Sequence, residues 1–421
     1  MKGILFEYDM PPTTWIYVSS LMILGIFFKF NRLFSIRNLD LVALLVFSPG
    51  FLLLSHGQER LGYVWLFGTG ALFLVRLLLD TIMVRRPLLE PNLNASGLTF
   101  TGFALLIFLL SNILQGREIF DPQGGGSQTR HAPLRGPGYP YFYELASASK
   151  PSSAAANPAQ SEATRAAQAA EVAARITALL AQLAMVLGIV LIGYRHFDNI
   201  HSGVAAASLY LLLPYTAFMV GRVDHVVPAA LVVWAVAAYR RPVISGILLG
   251  LAGGLIFYPL FLLPLWCSYY WQRGLLRFVA GAVCALLVLA FSLVATAASL
   301  PELVQQLKAM FGWTTVGLND VDGFWQYHEP AFRYPLLAAF VALAGTLALW
   351  PAQKNLGTLL SCSAAVMLGV QFWHLQQGGL YTAWYLPLLV LTILRPNLED
   401  RVALSAVIER RSPWRRANLS G

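Results

Sequence analysis

Arg240-Arg241-Pro-Val243-Ile-Ser-Gly246-Ile-Leu-Leu-Gly250-Leu-Ala-Gly-Gly254-Leu-Ile-Phe-Tyr258-Pro259-Leu-Phe-Leu-Leu-Pro264-Leu-Trp-Cys-Ser-Tyr-Tyr-Trp271-Gln-Arg273 is the stretch on which the architecture turns. As one helix its apolar part, residues 243–271, would reach about 43 Å, well beyond the roughly 30 Å of hydrocarbon in a bilayer. Basic residues flank both ends. Such clusters favour the cytoplasmic side, and a single crossing would strand one of them outside. Tyr258-Pro259 supplies a break, because proline lacks a backbone N–H and pushes the residue before it away from helix. The segment therefore reads as two half-helices forming a hairpin, with both ends inside and the Phe257-Tyr258-Pro259 tip outside.

The rest of the chain fits this frame. It is 57% hydrophobic and 12% charged, with a mean hydropathy of +0.62, a balance that implies a polytopic membrane protein. Further apolar runs lie near 14–30, 39–54, 61–83, 97–113, 173–194, 202–220, 226–239, 278–297, 334–350, 356–372 and 381–394. They must be helical, since lipid offers the backbone no hydrogen-bond partner and barrel-type alternation is absent. The expected fold is an all-α transmembrane helix bundle of about eleven spans plus the hairpin. Residues 1–95 form extra N-terminal helices, 96–396 the core with an outer loop at 115–172, and 397–421 a basic cytoplasmic tail. Residues 1–13 carry acids as well as Lys2 and lack a small-residue cleavage site, so the first apolar run is expected to remain as a span. The net charge of +9 is spread over short Lys/Arg clusters between apolar runs. That is topology rather than a nucleic-acid surface. Cys267, Cys284 and Cys362 lie in or beside apolar segments without metal-ligand spacing and read as buried thiols. The expected partner is the lipid bilayer and the expected location a bacterial cytoplasmic membrane.

Three segments fall on the outer face. The loop 115–175 begins with Glu118, Asp121 and flexible glycines, continues through Tyr139-Pro-Tyr141-Phe-Tyr143, which can pack the loop back against the bilayer face, and passes a Ser/Ala/Pro-rich linker at 149–160. An Ala-rich helix should start near Asn157-Pro158 or Ser161 and run uninterrupted to Tyr194. The second segment is the tight turn Gly221-Arg222-Val-Asp224-His225. The third opens with Leu300, Leu303, Val304, Leu307, Met310 and Phe311, the pattern of an interfacial helix, and leads to Asp320, Asp322, Trp325, Tyr327, His328 and Glu329.

No Gly-rich phosphate loop, paired metal histidines or nucleophile elbow is present. Asp121 and Glu118 are placed either to act as a general base on an acceptor hydroxyl or simply to solubilise the loop. Arg222 suits a phosphate through its planar fork, with Asp224 or His225 orienting it or touching a sugar; an Arg–Asp surface pair beside a solvated histidine is the alternative. Asp320, Asp322, His328 and Glu329 offer a cation two acids at i,i+2, without the further ligand series that marks a metal site, and the alternative is a polar loop. Trp325, Tyr327, Trp373, Tyr381 and Trp384 suit an interfacial belt or a sugar platform. Arg76 and Asp80, i,i+4, read as a buried or snorkelling pair, and Asp40 as an interfacial residue.

Residues 241–264 resemble a stretch shared by polytopic GT-C glycosyltransferases, closest to the alpha-mannosyltransferase-like family 87, in which a Gly-rich half-helix meets a Pro-broken one. Leu213-Pro214-Tyr-Thr-Ala-Phe-Met-Val-Gly221-Arg222-Val-Asp224 is similar to that superfamily's Pro-then-Gly-x-x-Asp helix end, and the likeness covers roughly 97–394. The resemblance implies a membrane glycosyltransferase that moves a sugar from a polyprenyl-phosphate donor to an acceptor on the extracytoplasmic face. Asp121, with Glu118 nearby, would be catalytic, and Arg222, Asp224, His225, Tyr258 and His328 would bind substrate. No cofactor, metal or nucleotide sugar is implied. The alternative is a non-catalytic carrier or assembly subunit of an envelope polysaccharide or lipid pathway. An enzyme must bring Asp121, Arg222 and the 257–259 tip around one outward cavity, whereas a carrier places polar groups near the bilayer midplane.

Overall fold

The structure, a computed structural model, describes residues 11–83, 90–115, 138–148, 161–272, 274–313, 322–352, 354–374 and 376–396. In chain order the helices are α1 (Pro12–Phe27), α2 (Ile36–Val46), α3 (Ser48–Ser55), α4 (Glu59–Asp80), α5 (Ala95–Gln115), α6 (Pro140–Ala148), α7 (Ser161–His196), α8 (Ile200–Leu212), α9 (Pro214–Phe218), α10 (Val223–Ala237), α11 (Pro242–Leu255), α12 (Leu263–Tyr269), α13 (Leu275–Thr296), α14 (Leu300–Met310), α15 (Arg333–Leu349), α16 (Leu356–Val370) and α17 (Leu386–Leu394). No strand forms among the described residues.

Six helical stretches are long and apolar enough to cross a bilayer: Ile36–Ser55, Glu59–Asp80, Ala95–Gln115, Arg165–His196, Leu275–Thr296 and Pro330–Leu349. They mark the chain as a multi-pass membrane protein. Their outward faces carry large apolar side chains such as Phe100, Phe103, Leu287 and Phe291, all exposed, as lipid contact requires. The remaining apolar helices are shorter, α8, α10, α11 and α16 among them. Length and burial explain one another here: α16 is buried at nearly every position and α8 at ten of its thirteen. A helix that is apolar all round belongs inside a bundle. Prolines also divide two of the expected runs, Phe47 and Ser48-Pro49 separating α2 from α3, and Leu213-Pro214 separating α8 from α9.

The hairpin takes the form read from its sequence. α11 stops at Leu255, a 3₁₀ turn covers Tyr258–Leu262, and α12 returns as far as Tyr269. The ends meet, for a Cβ placed on Gly274 would lie 2.8 Å from Pro242 Cγ. α13 then runs parallel to α11. A Cβ on Gly246 would overlap the Phe278 carbonyl oxygen, one on Gly250 would reach Ala282 O at 2.6 Å, and one on Gly254 would collide with Leu289. These glycines let two helix backbones touch.

The Ala-rich helix does begin at Ser161 and continues to His196, 36 residues in all. At about 54 Å it extends well beyond a bilayer. The amphipathic segment forms α14, capped by Ser299, whose Oγ accepts from Glu302 N–H at 3.4 Å. Leu300, Val304 and Phe311 stay exposed along it.

Asp40 departs from its interfacial reading. It is buried and accepts two hydrogen bonds from Arg76, from Nε at 2.6 Å and Nη2 at 2.8 Å. Arg76 also bonds Asp80 at 3.2 Å, which in turn accepts from Arg395 at 2.8 Å. Carboxylates at the ends of two spans have thus each found an arginine on another element, the outcome that desolvation demands.

Candidate functional site

The site is built on the turn that starts α10. Met219-Val220-Gly221 end the preceding helical turn, and Arg222 adopts an extended backbone whose carbonyl accepts from the N–H groups of His225 and Val226. Asp224 therefore sits in the first turn of α10, where the helix dipole favours an acid. Its carboxylate accepts from Arg222 Nη2 at 3.0 Å and Nε at 3.4 Å. Both residues are more than nine-tenths buried. This is not the solvated surface pair that the turn also allowed. Pro228, one turn along, has no N–H to give the Asp224 carbonyl, and the indole N–H of Trp384 takes that acceptor at 3.0 Å.

Around the pair lies a continuous set of rings. His225 stacks on Tyr381 with centroids 4.4 Å apart and planes 22° from parallel. Tyr381 packs on Trp384 at 4.4 Å and on His374 at 4.6 Å. Tyr258, from the hairpin tip, meets His374 at 4.6 Å, Trp384 at 5.3 Å and Trp373 at 5.5 Å. Tyr258, Trp373, Tyr381 and Trp384 are all buried. Trp373, Tyr381 and Trp384 are therefore core, not an interfacial belt. The hydroxyl of Tyr258 is enclosed and has no hydrogen-bond partner among the described residues.

The segment between α5 and α7 reaches the same place through α6. Its Gly138 N–H donates to Ala309 O at 2.8 Å and its Tyr139 N–H to Leu255 O at 3.1 Å. Leu255 O is the acceptor that Pro259 cannot serve, so the break in the hairpin is what ties down the loop. Tyr143 on α6 feels the charge of Asp224 and lies close enough to Tyr258 and Tyr381 to interact with both; burial raises its phenol well above the usual value.

His374 contributes a neutral ring. Its Nδ1 accepts from Gln376 N–H at 3.1 Å, which leaves the proton on Nε2 as a donor. Burial, the largest influence, holds its basicity down to about 3. The site thus offers an oriented guanidinium, a phenol, an imidazole N–H and stacked rings, a set suited to a phosphate beside a sugar or other polar ring.

Of the residues picked out by sequence, Arg222, Asp224, His225 and Tyr258 come together. His328 belongs to a different stack, lying 4.1 Å from Phe324 with planes 8° from parallel, and Phe324 in turn stacks at 3.8 Å on Phe67 of α4. Asp322 binds Gln377 Nε2 at 3.2 Å and caps Gly323 N–H at 2.6 Å. Tyr327 donates to Glu59 at the start of α4, a bond that lifts its phenol to about 12. Glu118, Asp121, Asp320 and the 149–160 linker lie outside the described residues. Among the described residues no three His, Cys, Asp or Glu side chains converge as metal ligands would. Sequence reasoning passed over His374. It stands one residue from Trp373 in a stretch read only for its aromatics, and a lone histidine there carries no spacing signal.

Compared with known proteins, the chain matches no family model, no curated sequence and no solved structure.

Proposed function

We propose that the protein is a GT-C-type membrane glycosyltransferase that uses a polyprenyl-phosphate sugar donor at the extracytoplasmic face of a bacterial cytoplasmic membrane. One observation carries this reading: the Arg222–Asp224 pair and the 257–259 tip meet through Trp384, beneath a helix that belongs to the outer loop. These polar groups gather at helix ends, as an enzyme at the membrane surface requires, rather than at mid-span as a carrier does. In the reaction an acceptor hydroxyl loses its proton to Asp121, with Glu118 nearby. The hydroxyl oxygen bonds to the anomeric carbon, and the bond from that carbon to phosphate breaks. The electron pair leaves with the polyprenyl phosphate, whose charge Arg222 stabilises while Asp224 holds the guanidinium in place. His225 and Tyr258 flank the sugar.

The test is transfer from a panel of labelled polyprenyl-phosphate sugars in membranes, with two variants. Asp121→Asn should retain donor binding and lose about 10²–10⁴ in turnover. Arg222→Lys keeps the charge but not the fork, so donor affinity should fall first. If Asp121→Asn keeps more than about a tenth of the activity, Asp121 is not the base. Folded protein that turns over no donor favours the carrier or assembly role.

A further inference from the structure

The opposite end of the bundle holds a second charge cluster that the proposed reaction does not use. Along α4 the Tyr63 end, beside Asp322, and the Asp80 end are about 25 Å apart at 1.5 Å per residue. At the Asp80 end three arginines, Arg37, Arg76 and Arg395, face two aspartates, Asp40 and Asp80. Both Asp40 oxygens are taken by Arg76, and Asp80 is shared between Arg76 and Arg395.

Arg37 is left over. Only 6% of it is exposed, and all three of its guanidinium nitrogens are enclosed with no hydrogen-bond partner among the described residues. Arg395 Nε is in the same condition. The charged groups acting on Arg37 are Asp40, then Arg76 and Arg395, so cations outnumber acids around it. Its position sharpens the conflict, because it lies in the first turn of α2, just after the Ser35 cap, where the helix dipole already presents positive charge. A buried guanidinium without an acceptor is costly, and a helix N-terminus and a cation side by side call for an anion.

We propose that this end of the bundle binds a phosphate-type oxyanion between Arg37 and Arg395. One negative charge balances three arginines against two aspartates, as a phosphodiester monoanion would. The setting favours a membrane lipid as its source. Ile36, Leu39, Val42 and Val46 form an exposed apolar face along α2 beside Arg37, where acyl chains can lie while the headgroup turns inward.

The experiment follows thermal unfolding of the full chain in neutral detergent with added phosphatidylglycerol, phosphatidylcholine or inorganic phosphate at matched ionic strength. It uses the wild type and Arg37→Met, a variant of similar reach that removes the unpartnered guanidinium, leaves two arginines facing two aspartates and so should fold. Phosphatidylglycerol should raise the wild-type Tm by several degrees, phosphatidylcholine should not, and Arg37→Met should lose at least threefold in apparent affinity for the acidic lipid. A rise with inorganic phosphate alone, again lost in the variant, keeps the oxyanion site and assigns it a free ion. No anion-dependent rise in the wild type, or an equal rise in Arg37→Met, overturns the proposal. Should the variant fail to fold, native mass spectrometry of the wild type decides: a retained acidic phospholipid or phosphate supports the site, and a bare chain sinks it.

Discussion

His374 shows how a single side chain can report on the site without any substrate. Its ring stays neutral in the fold because burial lowers its pKa to about 3, whereas a histidine in an unfolded chain titrates near 6.5. Between those values the unfolded chain takes up a proton that the folded one refuses, so stability is fully present above pH 6.5 and is lost as the pH falls. By pH 5 the loss should reach about 2 kcal/mol. Thermal unfolding of the wild type and His374→Gln between pH 7.5 and 5 checks this, and the expected outcome is a shallower acid-side decline in the variant. Parallel pH profiles would mean that the ring is not shielded as described. The neighbouring Arg222 and Asp224 were legible in sequence because a two-residue spacing in a tight turn forces them together. His374, Tyr143 and Tyr258 were not legible as a group, since only the folded chain brings a loop, the short helix α6 and a hairpin tip to one place.

At the scale of elements, prolines and glycines carry most of the design. Pro228 and Pro259 each release a carbonyl, and each carbonyl is claimed by a distant group, Trp384 in one case and Tyr139 in the other. Sequence reading located the break at Tyr258-Pro259 but not its use, because the partner of a freed carbonyl is set by tertiary contact. The same holds for Asp40: a carboxylate at a span end looks interfacial until Arg76, on another helix, is seen to reach it. Glycines allow a sharper test, since identical substitutions should have opposite signs. Gly246→Ala places a methyl against the Phe278 carbonyl where α11 and α13 touch, and should cost about 1–3 kcal/mol. Gly345→Ala lies inside α15 with nothing within 4 Å of the new methyl, and should add about 0.5–1 kcal/mol through helix propensity. Detergent melting curves of the two variants, run side by side, measure both. Equal effects would show that the α11–α13 contact is looser than its geometry implies.

For the molecule as a whole, the hairpin decides which ends of the helices share a side of the membrane. The hydropathy pattern made the bundle legible, and the basic clusters at Arg240-Arg241 and Arg273 made the return legible, because a straight crossing would have divided them. Span lengths were less legible, since buried helices such as α8 and α16 need not match the bilayer. In the structure the return brings Pro242 beside Gly274, with α11 and α13 running parallel from that point. Arg241 and Gln272 are both exposed there, and Ser299, at the far end of α13, is exposed as well. Single cysteines at these three positions, in a chain whose Cys267, Cys284 and Cys362 have been replaced, should respond differently to a membrane-impermeant maleimide. The probe at Ser299 should label in intact cells. Those at Arg241 and Gln272 should label only after permeabilisation, because the positive clusters hold that end in the cytoplasm. Labelling of Arg241 and Gln272 from opposite sides would break the hairpin, and with it the meeting of the 257–259 tip and Arg222 on which the proposed chemistry rests. Labelling of all three in the reverse sense would leave the fold intact and move the site to the cytoplasmic face, where a polyprenyl-phosphate donor for the outer surface has no place.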